Sequence, residues 1–169
     1  MYQRLTLPPG RYELRLNATS AYLERSGTVY ADLEVPDFTR SAISMSAFVV
    51  GSRAQAREDA LAPIVPVVPT TSRNFDPNEN LIAFLRVFQG GASSVLPVAM
   101  TAKLLDASDA VVLDVTATLP ASAFDTTRAA PFEVELPLAR LSHGPHLLSV
   151  TATLASGANV RRDLVFRVR

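Results

Sequence analysis

The stretch LSHGPHLLSVTATL, residues 141–154, holds both histidines of the chain, His143 and His146. Two imidazoles three residues apart share a face of a helix, and zinc sites use that spacing. Gly144-Pro145 lies between them and forbids the helix. No third ligand stands nearby in sequence, so the pair reads as a turn leading into a strand, with His146 as an aromatic residue at the strand start. Asp76-Pro77-Asn78-Glu79-Asn80 is the densest cluster of oxygen side chains, the chemistry that calcium takes. It lacks the Gly and the later Glu of an EF-hand loop. Asp, Pro and Asn are also the residues that build turns, so it reads as a connection between strands.

Other chemistry is equally thin. Serines are plentiful, but no G-x-S-x-G elbow presents one as a nucleophile. Cysteine is absent, which removes disulfides, zinc–thiolate sites and thiol nucleophiles. Gly90-Gly91 joins two strands and opens no helix, so it is not a phosphate loop. Asn17-Ala18-Thr19 matches a glycosylation sequon and is read as incidental. Tryptophan is absent and aromatics are only 7%, which argues against a sugar-stacking platform. Phe75, Phe84 and Phe88 fall on or beside strands and are assigned to the core. No catalytic, cofactor-binding or metal-binding residue is therefore assigned, no cofactor is expected, and the chain is not expected to be an enzyme.

Bulk properties narrow the partners. The 169 residues are enough for one domain, or one domain and a fragment, and 48% are hydrophobic, ample for a core. Sixteen basic residues balance sixteen acidic ones. The densest basic cluster, Arg161-Arg162, is followed at once by Asp163, so the basic stripe of a nucleic-acid binder is missing. No stretch reaches the roughly 20 apolar residues of a membrane helix. The start, MYQRLTLPPGRYELRL, carries no apolar signal region. If the protein is exported, its signal lies upstream.

The elements that would position any site are strands. Period-2 alternation marks half-buried strands in YELRL, TVYADLEV, VVLDVTATL, PFEVELPL, LLSVTATL and LVFRV. NLIAFLRVF is apolar on both faces, as a central, better covered strand is. Turn signals separate these runs, and most of the twelve prolines sit at strand ends or in connections. Only SRAQAREDALA, residues 52–62, suits a helical turn. AISMSAFVVGS (42–52) and IVPVVPTTSRNF (64–75) each read as one strand. The expected fold is all-β, an antiparallel immunoglobulin-like (fibronectin III-like) sandwich of seven or eight strands.

The chain also echoes itself. LPPGRYELRLNA (7–18) aligns with LSHGPHLLSVTA (141–152). Leu7 matches Leu141, Gly10 matches Gly144, Tyr12 falls opposite His146, and Leu14, Leu16 and Ala18 fall on Leu148, Val150 and Ala152. Each copy is followed by a short polar turn and another alternating strand. A hairpin alone is marginal in water. Residues 1–40 therefore read as the last hairpin of one partial sandwich plus a linker, and 41–169 as a complete second sandwich.

The runs GRYELRL, VYADLEVPDF, ISMSAFVVG, PVVPTTSRNFDPNENLIAFLRVFQGG and GPHLLSVTATLASGANVRRDLVFRV resemble the C-terminal region of bacterial VWFA-related proteins of the acidobacterial type. The chain is also similar to the terminal β-sandwich of GWxTD-motif proteins in Ser46–Val50, in Pro69–Phe75 with Arg73, and in Ala83–Phe88. The A domain of the first family is absent. Its D-x-S-x-S metal motif starts at Asp106-Ala107-Ser108 but fails at Ala110, where a hairpin turn is expected. The resemblance implies an exported, extracytoplasmic protein in which this part is a non-catalytic accessory or interaction module. Its partner would be another protein or an upstream domain of the same parent, with no nucleic acid and no membrane insertion. The alternative is a carbohydrate- or calcium-binding sandwich.

Overall fold

A computed structural model describes residues 5–53 and 61–169. The chain divides into two compact units, Arg4–Asp37 and one built on Phe38–Arg169.

The first unit is a hairpin. Strands β1 (Gly10–Ser20) and β2 (Arg25–Val35) pair antiparallel without a break, from Gly10 opposite Val35 to Ser20 opposite Arg25. At the turn, Glu24 takes a φ of 48° and the Ser20 hydroxyl accepts from the Leu23 amide at 3.2 Å. Alternation and register sort the side chains by face. Tyr12, Leu14, Leu16 and Ala18 share one face with Leu33, Ala31, Val29 and Gly27. The other carries the Arg11–Glu34 pair, and Arg15, whose guanidinium bonds the Tyr30 hydroxyl and lies over its ring.

The second unit is an all-β sandwich. Its strands are β3 (Ser44–Met45), β4 (Val49–Arg53), β5 (Val67–Thr70), β6 (Asn74–Phe75), β7 (Leu81–Phe88), β8 (Val98–Leu105), β9 (Val111–Leu119), β10 (Ala129–Leu136), β11 (Gly144–Leu154) and β12 (Asn159–Val168). One sheet runs β10-β7-β4-β5, with β3 also on β7; the other runs β6-β12-β11-β8-β9. All pairings are antiparallel except that of β6 with β12. The chain visits the second sheet briefly at β6, then crosses from β7 to β8, from β9 to β10 and from β10 to β11, the Greek-key order of an immunoglobulin-like sandwich.

The core lies between the inner faces. Leu81, Ala83, Leu85 and Val87 of β7 and Val134 of β10 meet Val98, Met100, Ala102 and Leu104 of β8, Leu148, Val150 and Ala152 of β11, and Phe166 of β12. Burial of each large side chain contributes about 1.5–3 kcal/mol. β7 is apolar on both faces for a visible reason. Ile82 and Phe84 point away from the main core into a second cluster with Val67, against which Val49 and Val65 pack.

Three expectations change in detail. AISMSAFVVGS is two strands, because Ser46 breaks the ladder. Its amide donates to Arg86 O at 2.9 Å, and its hydroxyl accepts from the Arg86 amide at 3.0 Å. IVPVVPTTSRNF is split between the sheets: β5 pairs with β4, while β6 runs parallel to β12. Its corner is a serine turn, in which the Ser72 amide donates to Thr70 Oγ1 at 3.1 Å and the Ser72 hydroxyl to Asn74 O at 2.8 Å. VVLDVTATL is β9, an outermost strand, so its apolar side chains are more exposed than alternation alone suggests. Of the proposed helical turn at 52–62, residues 54–60 lie outside the described ones.

Candidate functional site

The two histidines part company. His143 is exposed in the connection, whereas His146 is buried on β11. His146 Nδ1 lies 3.1 Å from Gly144 O; a carbonyl only accepts, so Nδ1 carries the proton. The ring stacks on Phe166 at a centroid distance of 5.6 Å. Nε2 is buried without a hydrogen-bond partner. Among the described residues no three His, Asp or Glu side chains converge as a metal ion requires.

Asp106–Ala110 and a segment that sequence reading passed over, Asp125–Ala129, form twin turns. In the first, Asp106 Oδ1 accepts from the Ser108 amide at 2.8 Å, the Ser108 hydroxyl at 2.7 Å and the Ala110 amide at 3.1 Å. In the second, Asp125 Oδ1 accepts from the Thr127 amide at 2.8 Å, the Thr127 hydroxyl at 2.6 Å and the Ala129 amide at 3.1 Å. The fourth residue of each, Asp109 and Arg128, has a φ of 61°. The shared pattern is D-x-[ST]-x-A. Hydrogen bonds from the Ser108 side chain and the Ser108 and Ala110 amides hold the Asp106 carboxyl below its ordinary value. At Asp125, desolvation pushes upward, but the Thr127 hydroxyl, the two amides and Arg86 outweigh it and the net shift is downward. Each Oδ1 is spent on its own turn, and Asp125 Oδ2 pairs with Arg86 of β7.

Asp76–Asn80 is likewise a closed turn. The Asp76 amide donates to Glu79 Oε1 at 2.7 Å, and the Glu79 amide donates to Asp76 O at 3.0 Å. Gly90-Gly91 anchors the start of the second unit. Their amides donate to Ser41 O at 3.1 Å and Thr39 O at 3.0 Å, and a Cβ at Gly90 would sit 2.4 Å from both oxygens. Phe75 and Phe84 are buried, while Phe88 is half-buried and stacked on Phe38 at 4.2 Å. Arg161 pairs with Asp163 at 2.8 Å and Arg162 donates to Met45 O at 3.0 Å, so this basic pair serves the sandwich itself. Asn17 of the sequon bonds Thr28 across the hairpin at 3.3 Å.

Sequence reading missed one buried polar group, Gln89. Its amide side chain clamps Leu96, donating to the carbonyl at 2.6 Å and accepting from the amide at 3.0 Å. Arg128 Nε donates to Gln89 O at 2.7 Å. The only signal was a lone Gln after an apolar strand.

What the molecule presents instead is surface. On the hairpin, Leu16 is 56% exposed, Val29 63% and Leu33 38%, all on one face. The corresponding face of the β11–β12 hairpin is covered: Leu148, Val150, Leu164 and Phe166 are all buried. The two hairpins share local construction. β1 and β11 are each 11 residues long and start at a glycine of positive φ, 155° at Gly10 and 130° at Gly144. Tyr12 and His146 lie two residues further on, opposite Leu33 and Phe166. The Tyr12 hydroxyl donates to Pro8 O at 2.8 Å. A tyrosine near the start of strand F that bonds back to upstream backbone is the tyrosine corner of immunoglobulin-like sandwiches.

No known family profile matches the chain, and no curated protein matches it. Among solved structures, dimeric latent PorU from Porphyromonas gingivalis superposes with a TM-score of 0.44 at 12% identity, over 96% of this chain and 12% of that protein's length. The immunoglobulin-like assignment rests on the strand order and the core described above.

Proposed function

We propose that this chain is a non-catalytic, accessory β-sandwich module, part of a tandem array of such sandwiches in a longer exported protein of the VWFA-related kind. One observation carries the reading. The hairpin β1–β2 is built like the closing hairpin β11–β12 in its entry glycine and in an aromatic ring two residues on that bonds upstream backbone, yet on its apolar face Leu16, Val29 and Leu33 are exposed. It reads as the closing F–G pair of a preceding sandwich. A hairpin with one apolar face is marginal in water and gains stability once a second layer covers that face. The module acts by spacing and contact: it docks the preceding sandwich and presents its loops and edges to partners. Asp106, Asp125 and His146 are engaged in turns and packing, which fits a structural role for each.

The test uses the parent polypeptide. The sequence encoded directly upstream is expected to supply the missing strands, and further upstream a D-x-S-x-S motif on a β–α pattern. With those strands included, single cysteines at Leu16 or Val29 resist thiol labelling. In the 169-residue chain they label fully. Equal labelling in both would overturn the reading.

A further inference from the structure

We propose that β9 is a strand-pairing surface on which a second copy of the chain docks, β9 against β9, antiparallel, with Val115 opposite Val115. The comparison of sheet edges carries this. An exposed edge strand invites pairing with another chain, and proteins blunt such edges with short strands, proline or charge. β5 is four residues long and contains Pro69; β6 is two residues long. β10 carries Pro131, Glu133 and Glu135. β9 is the least guarded of the four: a bulge at Val112 interrupts its ladder near one end, and Leu113–Leu119 beyond it pairs without a break. It is nine residues long, VVLDVTATL, without proline or glycine, and its one charge is Asp114. Asp114 is already paired inward with Lys103 of β8 at 3.6 Å. Val111 is 52% exposed, Val112 44% and Val115 37%.

The strand is also complementary to itself. With Val115 at the two-fold axis, Asp114 faces Thr116 and Leu113 faces Ala117; beyond Leu113 the bulge at Val112 ends the regular ladder. Apolar side chains meet on one face and each carboxylate meets a hydroxyl on the other. Moving the axis to Asp114 would set two carboxylates directly opposite, which is destabilising. The contact is isologous, so it closes as a dimer and does not propagate. Each copy adds its five-stranded sheet to one continuous sheet.

Thr116 is exposed, and in this register it faces the partner's Asp114 twice over. Sedimentation velocity on the full chain across a micromolar range reads the outcome, with the melting temperature of each variant measured alongside. The wild type is expected to form a concentration-dependent dimer. Thr116→Asp, which opposes two pairs of carboxylates, is expected to weaken it by about tenfold or more, and Thr116→Lys to tighten it several-fold. A monomer at every concentration, open-ended association, or a dimer indifferent to both substitutions would overturn the assignment. Indifference would place self-association elsewhere, the bare hairpin face included.

Discussion

Tyr12 and His146 hold the same place in two hairpins of one chain. Each stands two residues after a glycine of positive φ, opposite an apolar residue of the return strand, and each bonds a nearby backbone carbonyl: Pro8 O at 2.8 Å from Tyr12 and Gly144 O at 3.1 Å from His146. The histidine that looked like a ligand is the packed counterpart of a structural tyrosine. From this relationship follow expectations for the histidine, the hairpin and the turns.

His146 is a packing residue, so a ring of similar size replaces it. His146→Phe keeps the stack on Phe166 and removes the buried, unpartnered Nε2. It is expected to leave stability within about 1 kcal/mol of wild type, whereas His146→Ala opens a cavity and costs about 2–4 kcal/mol. Urea denaturation checks both. Added zinc is expected not to move the melting temperature; a zinc-dependent rise that His146→Phe abolishes would contradict the account.

The hairpin is expected to be the least protected strand pair. Its amides gain little from burial, while those of β7 and β11 lie in the covered middle of their sheets. In native-state hydrogen exchange, β1 and β2 open at far lower free energy than β7 and β11, which exchange near the global limit. Equal protection in all four strands would be the contrary result.

The twin turns make stability fall in acid. Asp106 and Asp125 are held below their ordinary carboxyl values in the folded chain. A lowered folded value means stabilisation that is full above the unfolded value, about 3.9, and is lost as pH falls through the folded value. Asp125→Ala is expected to cost about 1 kcal/mol at pH 7, discounted for an exposed side chain, and to flatten the loss of stability below about pH 4. Asp106→Ala acts in the same direction. Urea midpoints at a series of pH values measure this.

Gly51 is required where β4 meets β5. A Cβ there would lie 2.0 Å from Val68 O, so Gly51→Ala is expected to break the β4–β5 ladder and cost about 2 kcal/mol or more. Gly27, in the hairpin, has nothing within 4 Å of its Cβ position, and Gly27→Ala is expected to be neutral in thermal melts.

Much of this was legible in the sequence. Alternation located Phe132, Val134 and Leu136 in the core, and the doubly apolar Leu81–Phe88 as a central strand, because burial writes itself into period-2 patterns. Alternation does not report which strand lies at an edge, so the exposure of Val111 and Val115 was invisible. It also does not report a change of sheet. The corner between β5 and β6 is made by the Ser72 hydroxyl, a local bond inside the polar run Thr70–Asn74. The turn at Asp125 repeats the D-x-[ST]-x-A spacing of the Asp106 turn, a signal that stands in the sequence but carries meaning only through the Oδ1 bonds to Thr127 and Ala129. Gln89 carries no pattern at all, since its partner is a backbone unit seven residues away.

The central claim is that the hairpin is foreign to the sandwich that follows it. The most direct test is the fragment 38–169, cut there because Phe38 stacks on Phe88 and Thr39 O accepts from the Gly91 amide. It is expected to unfold in one cooperative transition with a melting temperature within about 4 °C of the full chain, the shift of roughly 1 kcal/mol. A fragment that fails to fold, or that melts far below the full chain, would make the hairpin part of one sandwich and contradict the account.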